Sequence, residues 1–200
     1  MRCLLAFPGI RILAFSHGLI SLLFAPLFAQ SSNSPAPSVT LPDGPVTARG
    51  GMVATQEAHA TRAALKVLAE GGNAVDAAVT AGFTLAVTLP RAGNLGGGGF
   101  MLIHLADENR QIALDYREKA PSAAHRDMFL TERGAPDPRR SRYTRLASGV
   151  PGTVRGLAHA LRRYGSISIR RALAPAIKLA ADGFVVGQDL HLSLIHISEP

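Results

Sequence analysis

The sequence predicts an α+β protein, with antiparallel strands lying under helices. Three observations carry that expectation. Apolar residues recur at helical spacing between Gln56 and Glu70, and a stretch of helical length at 74–90 is apolar all the way round. Two short runs between 100 and 117 then read as strands on either side of a turn at Glu108 and Asn109. Two more helical patterns follow, so the order is helix, helix, hairpin, helix, helix. No internal repeat is visible.

The elements follow in chain order. Arg2 and Arg11 precede LISLLFAPLFA (19–29), an apolar stretch too short to span a bilayer as a relaxed helix. It ends in small residues and gives way to QSSNSPAPS. That is the layout of a signal peptide over residues 1–29, cleaved near Ala29. The alternative is an uncleaved anchor, because His17 and Arg11 interrupt the upstream half. Cys3 is the only cysteine and would leave with the peptide. The mature chain would fold in the periplasm or outside the cell without a disulfide, and without a stable membrane span. Residues 30–45, with four prolines, form a flexible lead-in.

GGMVAT (50–55) reads as a short strand. The helix over 56–70 places Ala60, Ala64, Val67 and Leu68 on one face and stops at Gly71-Gly72. Asn73 caps the next helix, with Asp76 completing a variant capping box, and Pro90 closes it. FMLIHLAD (100–107) is a continuous apolar run that suits a central strand. In QIALDYREKAP (111–121), Ile112, Leu114 and Tyr116 alternate with Ala113, Asp115 and Arg117. PGTVRGLAHALRRYG (151–165) has proline near its start and glycine past its end. SIRRALAPAIKLAADG (168–183) is helical, kinked or divided at Pro175.

Composition excludes some functions. The hydrophobic fraction is 47% and the charged fraction 18%, as in a folded globular protein. The net charge of +7 is scattered, and its densest cluster, PDPRRSRYTR (136–145), reads as a solvated loop. No recognition motif accompanies it, so nucleic acid is not expected as a partner.

The four glycines of GNLGGGGFMLIH (93–104) invite a phosphate-binding reading that the order of elements rejects. A phosphate loop is followed by lysine and a helix start, and a dinucleotide fingerprint comes after a strand and before a helix. Here the glycines follow a helix and precede a strand. They serve either unusual dihedrals at the strand entry or the close approach of another segment.

Six strings occur in a fixed order: GGNAVDAAV (71–79), GNLGGGGFML (93–102), LDYREKAP (114–121), RDMFL (126–130), LASGVPGTVRGL (146–157) and KLAADGF (178–184). Together they resemble the large-subunit half of the γ-glutamyltranspeptidases, also called glutathione hydrolases. The resemblance makes 46–190 the N-terminal part of that subunit. It implies an αββα sandwich of the N-terminal-nucleophile hydrolase type, in a precursor that cuts itself. The nucleophile would be the first threonine of a small subunit lying beyond residue 200, so no catalytic residue is expected here. Thr55, Thr61 and Thr153 are caps or packing residues. The implied reaction moves a γ-glutamyl group from glutathione and related compounds to water or amino acids, without metal or cofactor. Partners would be those compounds and the chain's own small subunit. Alternatives are a β-lactam (cephalosporin) acylase of the same superfold and a non-catalytic fragment.

One residue takes a site role from the resemblance. Arg117 matches the arginine that grips the substrate α-carboxylate, a task suited to a planar guanidinium. The competing reading is an ion pair with Asp115 or Glu118. Glu57 and His59 lack the spacing of a zinc site. His104, His125 and His159 carry no motif. The tail HLSLIHISEP (191–200) departs from the family pattern and reads as adapter sequence joined to the gene, or else as a divergent strand.

Overall fold

A computed structural model describes residues 44–194. The expected signal peptide, nearly all of the lead-in and residues 195–200 lie outside that range. Two helices come first, α1 (Ala58–Ala69) and α2 (Ala74–Thr88), then the strands β1 (Phe100–Leu105) and β2 (Arg110–Asp115). Four helices follow: α3 (Pro138–Tyr143), α4 (Thr153–Tyr164), α5 (Ile169–Asp182) and α6 (Gln188–Leu194).

Helix α1 starts where the Glu57 carboxylate accepts hydrogen bonds from the His59 and Ala60 N–H groups. It ends in a Schellman motif. Gly72 N–H bonds the Val67 carbonyl, Gly71 N–H bonds that of Leu68, and Gly71 takes φ +87°. The chain turns at once into α2 through the expected capping box. Asn73 Oδ1 accepts from Val75 and Asp76, while Asp76 Oδ2 accepts from Asn73 N–H at 2.8 Å.

Helix α2 is the centre of the molecule, and every residue from Val79 to Leu89 is buried or half-buried. Against α1 it presents Ala77 and Ala81 to Ala64, side chains small enough for the two backbones to approach closely. On its other side, Val75, Val79 and Phe83 pack with Ile103, Leu157, Leu161 and Ala176. Burying the Phe83 side chain alone contributes about 2–3 kcal/mol. A ladder of threonines runs up the helix, with Thr84 Oγ1 donating to the Thr80 carbonyl and Thr88 Oγ1 to that of Thr84. Thr80 Oγ1 has no partner among the described residues.

Asp76 ties this centre to the far end of the chain. Its carboxylate is fully buried, and besides capping α2 it accepts from Ser166 N–H (2.8 Å), Ser166 Oγ (2.6 Å) and Ile167 N–H (3.3 Å). Burial alone would raise its pKa. The hydrogen bonds from Ser166, Asn73 and Ile167 outweigh burial and hold the group below the usual carboxylate range.

The strands form an antiparallel hairpin in register Phe100↔Asp115 to Leu105↔Arg110. The turn is a short 3-10 segment ending at Asn109, which takes a left-handed φ of +44°. Met101, Ile103, Leu105, Ile112 and Leu114 face the helices. Phe100 and Leu102 lie on the opposite face and are 63% and 85% exposed.

Three local expectations need correction, and a fourth is narrowed. Residues 51–55 are irregular, because no strand lies beside them among the described residues; Val53 packs on the α1–α2 alanines instead. Among the described residues β1 pairs only with β2, so the central position expected for it is not seen there. The arginine cluster is not all loop, because Asp137 caps the Arg139 and Arg140 N–H groups and Pro138 starts α3. Of the two alternatives at Pro175, division is excluded, because α5 runs undivided through it.

Candidate functional site

The glycine run lies where three segments cross. None of Gly96 to Gly99 has positive φ, so the close-approach alternative is the one realised. Tyr116 N–H donates to the Gly99 carbonyl, adding one rung beyond the end of β2. On the next residue of the loop, a Cβ added to Gly98 would lie 2.6 Å from the Glu118 nitrogen. From the other side, the start of α4 presses on the same strand end. A Cβ on Gly152 would lie 1.8 Å from the Tyr116 carbonyl oxygen, and one on Gly156 would lie 2.1 Å from Tyr116 Cγ. No side chain fits at either place.

Polar bonds hold the crossing together. The Gly97 carbonyl accepts from both Gly152 and Thr153 N–H groups. Asn94 Oδ1 accepts from Gly97 N–H at 2.7 Å and from Thr153 Oγ1 at 3.1 Å. Thr153 is therefore a joint between α4 and the glycine loop, in line with its expected packing role. Asn94, the hub of this network, carried no signal of its own in the sequence.

Arg117 comes out of this crossing with its backbone fixed and most of its side chain exposed. It sits just past β2, not on the strand, because β2 ends at Asp115. The Asp115 carboxylate bonds the Arg117 N–H at 3.0 Å and leaves the guanidinium alone. Arg117 Nε lies 3.3 Å from Glu118 Oε2, so one of the two expected ion pairs forms. The side chain is 67% exposed, and its two Nη atoms make no hydrogen bond among the described residues. A guanidinium held at Nε with its outer nitrogens open is arranged to take a carboxylate.

Arg117 lines a cleft of about 450 Å³ between the end of β2 and α4. Asp115, Lys119, Arg155, His159 and Arg162 also line it. The last three are spaced to share one stripe of α4, a pattern present in the sequence but not singled out there.

The remaining candidates are structural. Thr55 Oγ1 and Thr61 Oγ1 bond each other at 2.7 Å beside the α1 cap. Burial would raise the pKa of Glu57, but bonds from the His59 and Ala60 N–H groups hold it below the usual range. His59 meets the edge of Phe184, and His104 approaches Gln111 at 3.4 Å. No group of three His, Cys, Asp or Glu able to hold a metal ion occurs among the described residues. No helix among them is long and apolar enough to cross a membrane.

The chain resembles known proteins along most of its length. Residues 60–198 match the family model described as gamma-glutamyltranspeptidase. The glutathione hydrolase proenzyme of Escherichia coli (strain K12) is 49% identical over 175 residues, which is 85% of this chain and 30% of that protein. The crystal structure of Helicobacter pylori gamma-glutamyltranspeptidase superposes with a TM-score of 0.72 at 45% identity. That match covers 76% of this chain and 43% of the other. A cephalosporin acylase from Bacillus halodurans superposes with a TM-score of 0.58 at 25% identity, covering 75% and 28%. The chain thus spans less than half the length of each of these proteins.

Proposed function

The chain belongs to the gamma-glutamyltranspeptidase family, and on that premise we propose that the complete protein moves the γ-glutamyl group of glutathione and related compounds to water or amino acids. Its fold is α+β, of the N-terminal-nucleophile hydrolase type. In this reading the described residues supply substrate binding and not the attacking group. The nucleophile is the first threonine of a small subunit released when the precursor cuts itself, with its own α-amine as base. Backbone N–H groups stabilise the oxyanion of the tetrahedral intermediate. The γ-glutamyl-enzyme then passes its acyl group to the acceptor.

The observation that carries the reading is the open guanidinium of Arg117, a residue that lines a cleft with several other basic residues. Its outer N–H groups donate to the α-carboxylate of the γ-glutamyl group as a bidentate pair, which orients the γ-carbonyl for attack. Identity of 45–49% to glutathione-cleaving and γ-glutamyl-transferring relatives, against 25% to the acylase, favours this substrate class over a β-lactam. The enzyme works in the periplasm or outside the cell, its signal peptide removed near Ala29.

Kinetics of Arg117→Ala in the full-length enzyme test the assignment. Each charge-assisted bond is worth about 1.5–3 kcal/mol, so kcat/KM for a γ-glutamyl donor should fall at least about tenfold. Cleavage into two subunits should continue, because no substrate carboxylate takes part in it. If turnover survives while folding or maturation fails, Arg117 is structural and the reading is wrong.

A further inference from the structure

The cleft beside Arg117 is more cationic than one carboxylate clamp requires. Arg155, His159 and Arg162 occupy positions i, i+4 and i+7 of α4, while Leu157, Ala160 and Leu161 on the same helix are buried in the core. Lys119 adds a fourth basic group. Lys119, Arg155 and Arg162 have no ion-pair partner among the described residues. Asp115, the acid on the cleft wall, is engaged by the Arg117 N–H. Like charges gathered on one wall repel each other, and a bound anion removes that cost.

We infer that this wall of α4 is a second carboxylate subsite, selecting γ-glutamyl donors whose leaving group carries a carboxylate of its own. Glutathione, which ends in glycine, is such a donor. The inference rests on the reading of Arg117 as the clamp for the first carboxylate. The spacing supports it. Helix α4 begins against Arg117, since a Cβ on Gly152 would lie 3.4 Å from the Arg117 carbonyl oxygen. At the rise of an α-helix, Arg155 lies about 5 Å further along the axis, His159 about 10 Å and Arg162 about 15 Å. A tripeptide-length ligand spans about 10 Å when extended. With one carboxylate held by Arg117 near the start of α4, a ligand of that length reaches the stretch of α4 that carries Arg155, His159 and Arg162, where a guanidinium can grip the other. A neutral leaving group makes no use of this wall.

The test uses the full-length enzyme and the double variant Arg155→Gln/Arg162→Gln. Hydrolysis of glutathione is compared with that of γ-glutamyl-p-nitroanilide, whose leaving group has no carboxylate. KM for glutathione should rise about tenfold while kcat holds and the anilide changes less than about twofold. The preference of the unaltered enzyme for glutathione should weaken with added salt, and that dependence should vanish in the variant. Equal effects on both donors, or none on either, overturn the proposal. So does a variant that fails to mature, which would mean that an acidic part of the remaining polypeptide covers the wall. Arg117→Ala separates the two readings. If it spares both donors, the clamp assignment fails whatever the double variant does, whereas loss with both donors leaves the clamp standing and the α4 wall to be judged alone.

Discussion

Removing the Asp76 carboxylate should loosen the joint between α2 and the turn before α5. In Asp76→Ala, four hydrogen bonds to a charged acceptor disappear, from Asn73 N–H, Ser166 N–H, Ser166 Oγ and Ile167 N–H. At about 1.5 kcal/mol each the gross loss is about 6 kcal/mol. Asn73 and Ser166 reach the surface, so water recovers about half, leaving about 3 kcal/mol net. Amide hydrogen exchange in the full-length protein reads this directly, because three of the lost donors are amides. Protection at Asn73, Ser166 and Ile167 should fall about a hundredfold. The pH dependence has a definite sign. The folded pKa is lowered, so the stabilisation is fully present above the ordinary aspartate value near pH 4 and is lost as pH falls through the folded value. Asp76→Asn, which keeps one acceptor oxygen, should lose less protection and lack that acid-side slope. Protection in Asp76→Ala within about threefold of the unaltered protein would refute this account, because the carboxylate would then not be holding the turn.

Two further outcomes follow from the same features. Expressed alone, residues 30–200 should not unfold in one sharp, reversible step as a monomer, because Leu102 and Phe100 stand exposed beside strand edges without partners among the described residues; circular dichroism with sedimentation checks this. Mass measurement of the mature full-length protein should place its first residue near Gln30, and an intact Met1 in the cytosol would end the export proposal.

The helices were legible because their signals are local. Asn73 and Asp76 are three residues apart, so the capping box could be read directly. The same carboxylate also binds Ser166 and Ile167, partners some ninety residues away that no spacing rule reaches. The glycine run shows the same limit. Sequence order excluded a phosphate loop, and local reasoning offered two structural uses. Only the fold shows that Tyr116, Glu118 and the start of α4 crowd the crossing. The strand expected at 50–55 and the central position expected for β1 went astray for one shared reason. Strand pattern records which side chains want burial but not whether a neighbouring strand lies in the same chain. In α3, the high charge of four arginines near residues 139–145 masked an ordinary aspartate cap and a proline at the first position. Arg117 was singled out by its motif, whereas the α4 stripe had no motif and needed β2 beside it to become a wall.

Lys119 and Val150 exchange both backbone hydrogen bonds, N–H to O at 3.2 and 2.8 Å, so the excursion over 120–149 leaves and rejoins the body at one point. Its length is thereby uncoupled from the position of Arg117, two residues upstream of that knot. Doubling such a loop costs only about 0.6 kcal/mol in closure entropy. Its tip, near Gly134 with φ +76°, is thus a natural splice point. An affinity tag or a small reporter domain inserted there would ride on the protein without disturbing the backbone at Arg117, and would make the protein traceable in living cells.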